Sequence, residues 1–306
     1  MKYTFLVNSK SRSGNGMMIW RIVEPELKKK RIEYEVLYTK YARYATEVVR
    51  ELTSDGEEHT LVVLGGDGTI NEVINGVLYP EKLTLGYIPT GSGNDFTRAT
   101  KLPTEPMKAL ENVLNPGKII SLDVGTAYAG EEKYHFAVSA GIGFDAAVCH
   151  YVAKSKLKLW LNKIRLGNLV YLGTAVRRLL GDKTVHMELT LDDNEPIVFE
   201  KTYFAAMMNH PYEGGGFFFC PKAKIDDQVL DVIVVANLSK LKILCLLPTA
   251  FFGKHVNFKG IYIYQCKKAE IKMKEVRPVH TDGEPVTVSD RLMAELRSGQ
   301  IRLMVP

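Results

Sequence analysis

The 306-residue chain has only four cysteines, Cys149, Cys220, Cys245 and Cys266, and no C-x-x-C pair among them. That excludes a zinc ribbon or a disulfide framework and fits a reducing cytosol. Long apolar runs are missing too. The longest, Ile243 to Phe252, spans ten residues and contains Pro248, too short and too interrupted to cross a bilayer. Met1 to Asn8 lacks the extended hydrophobic region and small-residue cleavage site of a signal peptide, so secretion is not expected. There is no internal repeat and no low-complexity tract. The P-loop pattern G-x-x-x-x-G-K-[ST] is absent, as are the protein-kinase motif set, H-E-x-x-H and G-x-S-x-G. The seven histidines show no ligand spacing and read as ordinary surface or core residues.

Apolar residues make up 46% of the chain and charged residues 25%, an ordinary globular composition. A chain this long buries about 75% of the surface its unfolded form exposes, so it needs no metal or disulfide staple to fold. Forty Lys and Arg against thirty-five Asp and Glu leave a net charge of +5. The excess is mild, and no nucleic-acid partner is expected.

The first 124 residues alternate short apolar runs with helical patterns. Tyr3 to Val7 reads as a strand followed by a Ser/Gly/Asn loop, Ser9 to Gly16. Strands are also expected at Tyr34–Tyr38, Thr60–Leu64, Leu83–Ile88 and Ile119–Leu122. Ile70, Val73, Ile74, Val77 and Leu78 fall on one face of a helix. This alternation predicts an α/β domain over 1–124, a parallel sheet with helices on both faces. Over 125–306 the texture becomes mostly β: Tyr134–Val138, Val185–Leu191, Ile197–Met208, Val229–Val235, Ala269–Met273 and Pro285–Val288 read as strands of an antiparallel sandwich or flattened barrel. A helical insert covers 154–180, and the last residues are allowed to return to the first domain. Edge strands in the second half leave pairing into a homodimer open.

Ligands of a parallel sheet gather beyond the carboxyl ends of its strands. Asp67, Asp95 and Asp123 each follow an apolar run and are expected at that level, two of them inside glycine-rich turns, Gly65-Gly66-Asp67-Gly68 and Gly91-Ser92-Gly93-Asn94-Asp95. Glycines let a backbone approach phosphate closely, and free N–H groups of a following helix favour negative charge. Carboxylates beside phosphate require an intervening cation, and Mg²⁺ is the natural choice. Gly-Asp-Gly alone is also a common structural turn; it is the repetition at one expected sheet end that points to phosphate or metal binding.

These residues resemble the diacylglycerol kinase catalytic-domain family, which includes bacterial lipid kinases and sphingosine and ceramide kinases. Gly65-Gly66-Asp67-Gly68-Thr69-Ile70-Asn71-Glu72-Val73 is similar to its G-G-D-G-T-x-N-E-V motif, and Gly91-Ser92-Gly93-Asn94-Asp95-Phe96 to its G-T-x-N-D-F, with Ser for Thr. Gly141 to Ala146 resembles G-x-G-x-D-A, Pro221 to Asp231 resembles P-x-A-x-x-D-D-G-x-L-D, and Thr281-Asp282-Gly283-Glu284 carries the late D-G-E. The G-G-D-G-T core is shared with NAD kinases and phosphofructokinases; the ordered set is more specific. The resemblance implies an NAD-kinase-like fold and transfer of the γ-phosphoryl group of ATP to a lipid hydroxyl, diacylglycerol giving phosphatidic acid. It implies a nucleotide along Asn8, Ser9 and the following loop, Thr39, Gly65, Gly66, Asp67, Gly68, Thr69, Ile70, Asn71 and Ser92. It implies Mg²⁺ held through water by Asp67, Asp95 and Asp123, and Glu284 as general base. It further implies a structural Mg²⁺ on Asp227 and the carbonyls of Lys224 and Val229. Gln228 stands where the family usually has glycine, which puts that turn and its metal in question. The alternatives are a soluble-substrate kinase such as an NAD kinase, and a non-catalytic nucleotide-binding regulator.

A lipid kinase must reach a membrane, here from the cytoplasm at the inner face of the plasma membrane. The stretch Tyr151 to Lys183 carries Lys154, Lys156, Lys158, Lys163, Arg165, Arg177, Arg178 and Lys183 against one acid, Asp182, interleaved with Leu and Trp160. It reads either as an interfacial amphipathic segment or as a helix packed on the β domain with a solvated basic face. Leu241 to Phe258 reads as core or as a lip of an acyl-chain cleft.

Overall fold

The computed structural model describes residues 2–91, 93–153, 168–297 and 299–306. The chain divides into two compact units, Met1–Val124 with Ser298–Pro306, and Gly125–Arg297.

The first unit contains β1 (Tyr3–Val7), α1 (Ser11–Lys29), β2 (Tyr34–Tyr38), α2 (Tyr44–Leu52), β3 (His59–Gly65), α3 (Asp67–Gly76), β4 (Leu83–Pro89), α4 (Asp95–Thr100), α5 (Pro106–Leu114) and β5 (Lys118–Leu122). The final strand of the chain, Ile301–Val305 (β15 in chain order), joins the same sheet, whose order is β2-β1-β3-β4-β15-β5. Strands β3 and β4 read as near-continuous apolar runs because both of their faces are covered, as a parallel sheet requires. Phe5, Trp20, Val23, Leu27, Val62, Leu64 and Ile88 pack in one cluster between α1 and the sheet.

Two expectations are corrected here. The stretch read as a loop over Ser9–Gly16 becomes helix from Ser11 onward, although its first turns are irregular, with Arg12 at φ 44° and Gly14 at φ 100°. The sheet is also not wholly parallel. β15 runs parallel to β4, with Leu303 beside Leu85, while β5 runs antiparallel to β15, with Ile301 beside Leu122. A strand from the far end of the chain has been inserted, and the direction of β5 is reversed relative to its expected neighbours.

The second unit holds β6 (Gly125–Ala129), β7 (Glu132–Phe136), β8 (Ser139–Gly143), α6 (Phe144–Ala153), α7 (Asn168–Gly181), β9 (Val185–Leu191), β10 (Ile197–Met208), β11 (Leu230–Ala236), α8 (Lys240–Ala250), β12 (Ile261–Cys266), β13 (Lys268–Thr281) and β14 (Glu284–Leu296). All of its strand pairs are antiparallel, in the order β12-β11-β10-β8-β13-β14-β6-β7, with β9 bridging β10 and β13. Alternation appears where one face is covered: Val185, Met187 and Leu189 of β9 point inward while their neighbours are half-buried. Gly125 pairs with Phe136, and a Cβ there would sit 2.1 Å from the Phe136 ring, so only glycine accommodates that side chain. The expected insert over 154–180 is helical from Asn168 to Gly181; Lys154, Lys156, Lys158, Trp160, Lys163 and Arg165 lie outside the described residues.

Candidate functional site

At the carboxyl ends of β1, β3 and β4, three segments of the first unit are tied together. Asn8 donates its backbone N–H to the Leu64 carbonyl at 2.9 Å and its Nδ2 to Thr69 Oγ1 at 3.0 Å. The Gly65 carbonyl accepts from the Thr90 N–H at 2.8 Å and from the Tyr87 hydroxyl at 3.0 Å. Thr90 Oγ1 donates to Ser11 Oγ at 2.6 Å, and Asn15 Nδ2 to the Thr90 carbonyl at 3.1 Å. The Thr39 N–H donates to the Val7 carbonyl at 3.0 Å, which brings the end of β2 to the same level.

The two glycine-aspartate loops meet backbone to backbone. A Cβ on Gly91 would lie 2.7 Å from the Gly66 Cα, and one on Gly93 would lie 2.7 Å from Asp67 Oδ2. Glycine is needed at both positions for steric room, not for an unusual φ. Asp67 opens α3 behind Gly66, which supplies no side-chain cap, and its Oδ2 accepts the Asp95 N–H at 3.3 Å. Asp95 opens α4 in a buried position, with Arg98 Nη1 at 2.9 Å from its Oδ1. Two carboxylates and the first turn of α3 therefore share one crowded corner. Glu72, from the same motif, does a different job: its Oε2 accepts the Ala45 N–H at 3.2 Å near the start of α2, a helix-capping contact.

Asp123 does not join that corner, which corrects the expectation of three aspartates at one end. Because β5 is antiparallel, Leu122 lies level with Ile301, next to the row where β4 begins. The loops of Asp67 and Asp95 leave the other end of β3 and β4, and six residues of strand span roughly 20 Å. Asp123 is buried and accepts from Gln300 Nε2 just before β15. Nothing in its local sequence announced the reversal, since an apolar run followed by aspartate looks the same in either direction. Of the other expected nucleotide residues, Asn8, Ser9, Thr39 and Gly65 to Asn71 are on the strand-end cluster or adjoin it; Ser92 lies outside the described residues. The corner fits a hydrated Mg²⁺: its oxygen donors are hard, and two carboxylates plus phosphate oxygens suit that ion. Among the described residues no group of three or more His, Cys, Asp or Glu side chains converges as a direct metal site.

In the second unit the D-G-E segment is a tight hairpin. Thr281 pairs with Glu284 across Asp282 and Gly283, at φ 51° and φ 76°, the geometry of a two-residue type I′ turn. The Asp282 carboxylate accepts the N–H groups of Ala137, Val138 and Ser139 at 3.1, 2.7 and 3.0 Å. Glu284 is exposed beside this pinned turn. Behind it lies a network that motif reading missed. Buried His280 places Nε2 3.0 Å from Asp145 Oδ2 and 3.3 Å from Glu213 Oε1. Burial pushes the His280 pKa down, but Glu213 and the Asp145 hydrogen bond outweigh it and raise it to about 9. Glu213 is held by a bridge to Phe217 across three glycines at positive φ; that Gly-Gly-Gly run was the available signal.

The expected structural-metal turn has Asp227 Oδ1 accepting the Val229 N–H at 3.2 Å, and Gln228 at φ 57°. The backbone there is left-handed, the conformation glycine adopts freely and other residues adopt at a cost. Asp231, which ends the motif, is buried in β11, and desolvation raises its pKa to about 6. A further feature is an apolar cavity of about 130 Å³ between α8 and the strands, lined by Phe204, Ile233, Val235, Ile243, Leu246 and Leu247 among others, with Asp145 and Glu213 also on its wall. No described helix is long and apolar enough to cross a membrane.

An α/β unit with glycine-aspartate loops at its strand ends, followed in sequence by an antiparallel β unit, is the architecture of NAD kinases and diacylglycerol kinases. An NAD kinase from Archaeoglobus fulgidus solved with ATP shares the fold (TM-score 0.53, 12% identity, covering 99% of this chain and 93% of that one). A Bacillus anthracis structure described provisionally as a diacylglycerol kinase matches at TM-score 0.78 and 26% identity, over 100% of this chain and 97% of that one. Residues 2–127 match the diacylglycerol kinase catalytic domain, and residues 137–305 the YegS C-terminal NAD kinase beta sandwich-like domain. A Mycobacterium tuberculosis diacylglycerol kinase is 28% identical over 285 residues, 92% of this chain and 88% of that protein. YtlR of Bacillus subtilis, named provisionally as a lipid kinase, is 29% identical over 290 residues, 92% of each chain. The chain belongs to the diacylglycerol kinase-like family of lipid kinases, ATP-dependent enzymes by class.

Proposed function

We propose that the protein transfers the γ-phosphoryl group of ATP to the hydroxyl of diacylglycerol at a membrane surface, from the cytoplasmic side. The observation that carries this reading is the backbone-to-backbone meeting of the Gly65–Gly68 and Gly91–Asp95 loops at the strand ends. Phosphoryl transfer asks for positioning and charge neutralisation above all. The glycines give backbone N–H groups close access to phosphate oxygens, and α3 adds the positive end of its dipole. Asp67 and Asp95 would hold hydrated Mg²⁺, which supplies charge neutralisation at the phosphates. Asn8 and Thr69, already bonded to each other, fix the floor on which the nucleotide rests. Glu284 would accept the hydroxyl proton as the new P–O bond forms; its pinned turn costs it little freedom on binding. Asp227, with the carbonyls of Lys224 and Val229, would hold a structural Mg²⁺ through a turn made strained by Gln228.

Diacylglycerol is favoured as acceptor by the apolar cavity in the second unit and by the name of the Mycobacterium tuberculosis relative. The test is label transfer from γ-labelled ATP, offered in parallel to diacylglycerol in mixed micelles and to NAD in detergent-free buffer. Label in phosphatidic acid alone is expected. Label in NADP would instead establish the soluble-substrate kinase, and label in neither, with ATP still bound, the non-catalytic regulator.

A further inference from the structure

Helix α8 is apolar on two opposite faces. Ile243, Leu246, Leu247 and Ala250 recur at i, i+3, i+4 and i+7 and line the cavity. Leu241, Cys245 and Pro248, continued by Phe252 past the helix end, recur at i, i+4, i+7 and i+11 and are exposed. Leu241 is 71% and Phe252 74% exposed. A helix that is apolar all round is ordinarily buried; this one covers a cavity on one side and shows large apolar side chains to solvent on the other. The turn after it is held from within. Phe251 stacks on Phe217 at 4.2 Å, and Gly253, at φ +64°, lies where a Cβ would come within 2.8 Å of the Phe218 ring. Phe252 is left projecting, with Phe258 half-exposed a few residues on.

The charge carried by this stretch of the chain has one sign. Between Asp231 and Glu270 there is no acidic residue, and there are six lysines. Lys242, Lys254 and Lys259 are exposed, and Lys242 Nζ donates to the Lys259 carbonyl at 3.3 Å, gathering two of them on one rim.

We propose that the outer face of α8, with Phe252 and Phe258, docks the protein on an anionic phospholipid bilayer. The apolar side chains enter the boundary between headgroups and acyl chains, and Lys242, Lys254 and Lys259 lie against lipid phosphates. The proposal rests on the lipid-kinase reading for the reason a bilayer is approached. It places the water-insoluble acceptor one helix diameter, about 10 Å, from the cavity. A second copy of the chain is a poorer occupant, because a two-fold contact through this face sets the same lysines against one another. In the described part of the other basic stretch both arginines are engaged: Arg178 pairs with Asp182 at 2.8 Å, and Arg177 Nη1 donates to the Tyr151 hydroxyl at 3.1 Å.

The test is sedimentation of the full-length protein with sucrose-loaded vesicles, of phosphatidylcholine alone or with roughly one part in three phosphatidylglycerol. No ATP is present, so the outcome does not depend on turnover. The wild type is expected on the anionic vesicles. Lys254→Gln/Lys259→Gln should weaken that partitioning about thirtyfold, as two close charges would. Leu241→Ser/Phe252→Ser should weaken it about tenfold or more. Both pairs are exposed, so thermal unfolding should be unchanged; if the serine variant unfolds, the glutamine variant decides. Wild-type partitioning by both variants, or no wild-type binding, overturns the proposal. So does light scattering that shows a wild-type dimer and a monomeric Leu241→Ser/Phe252→Ser variant, which would assign the face to a second copy. Label transfer to lipid is scored separately, and its failure would count against the kinase reading alone.

Discussion

Gly91→Ala is the sharpest probe of the strand-end corner. The added methyl would start 2.7 Å from the Gly66 Cα, with Asn94 Oδ1 at 3.6 Å. Its main obstacle is backbone, which cannot rotate away as a side-chain tip can. Carbon atoms rest at about 3.5–4.0 Å, so the loops must part by roughly 1 Å. Overpacking of this kind costs about 1–3 kcal/mol of stability. The larger effect should be on turnover, because the displaced loop carries Asp95, whose N–H bonds to Asp67. A misplacement of about 1 Å between reacting groups costs on the order of a hundredfold. The assay is steady-state transfer from ATP to diacylglycerol in mixed micelles, alongside thermal unfolding. Gly173→Ala in α7, with nothing within 4 Å of the added methyl, is the control; it should keep full turnover and gain up to about 1 kcal/mol from helix propensity. Wild-type turnover and stability in Gly91→Ala would refute the claim that the two loops are held in contact.

Glu284→Gln should lower kcat about a hundred- to ten-thousandfold while leaving ATP affinity intact; equal losses in both, by single-turnover kinetics and calorimetry, would remove it as base. Asp123→Asn should leave Mg²⁺-ATP affinity within about twofold, whereas Asp67→Asn should weaken it about tenfold or more by calorimetry; matching losses would contradict the strand direction found for β5. Gln228→Gly should stabilise by about 1 kcal/mol in urea unfolding, by relieving a left-handed backbone; destabilisation would show that the side chain earns its strained position. Stability should peak near neutral pH. His280, raised to about 9 by Glu213 and Asp145 against its burial, contributes stability that is full below about 6.5 and lost as pH rises through 9, on the order of 3 kcal/mol. His210 and His135, lowered by burial to about 3 and about 4, contribute stability that is lost as pH falls below about 6.5. An unfolding-temperature profile from pH 5 to 10 reads both arms, and an alkaline arm that survives His280→Asn would refute its assigned cause.

Much of the fold was legible because strong local patterns coincide with tertiary demand. Thr60 to Leu64 and Leu83 to Ile88 are nearly continuous apolar runs because they are buried on both faces, and Val185 to Leu191 alternates because one face is covered. The glycine-aspartate loops were legible for the same reason: the glycines answer a close approach that the structure contains. The reversal at β5 was not legible, because strand direction depends on the pairing of Lys118–Leu122 with Ile301–Val305, a contact that spans more than half the chain. Nor was the His280 network, whose members Asp145, Glu213 and His280 are brought together by pairing of β8 and β13 and by a glycine loop. The outer face of α8 was present in the sequence as an acid-free apolar stretch, but only exposure distinguishes it from core.

The most direct measurement is a crystal structure with Mg²⁺ and a non-hydrolysable ATP analogue. The triphosphate is expected along Gly65–Thr69 and the Gly91–Asp95 loop, with the ion bridged by water to Asp67 and Asp95. Phosphates seated elsewhere, or an ion held at Asp123 instead, would contradict the account.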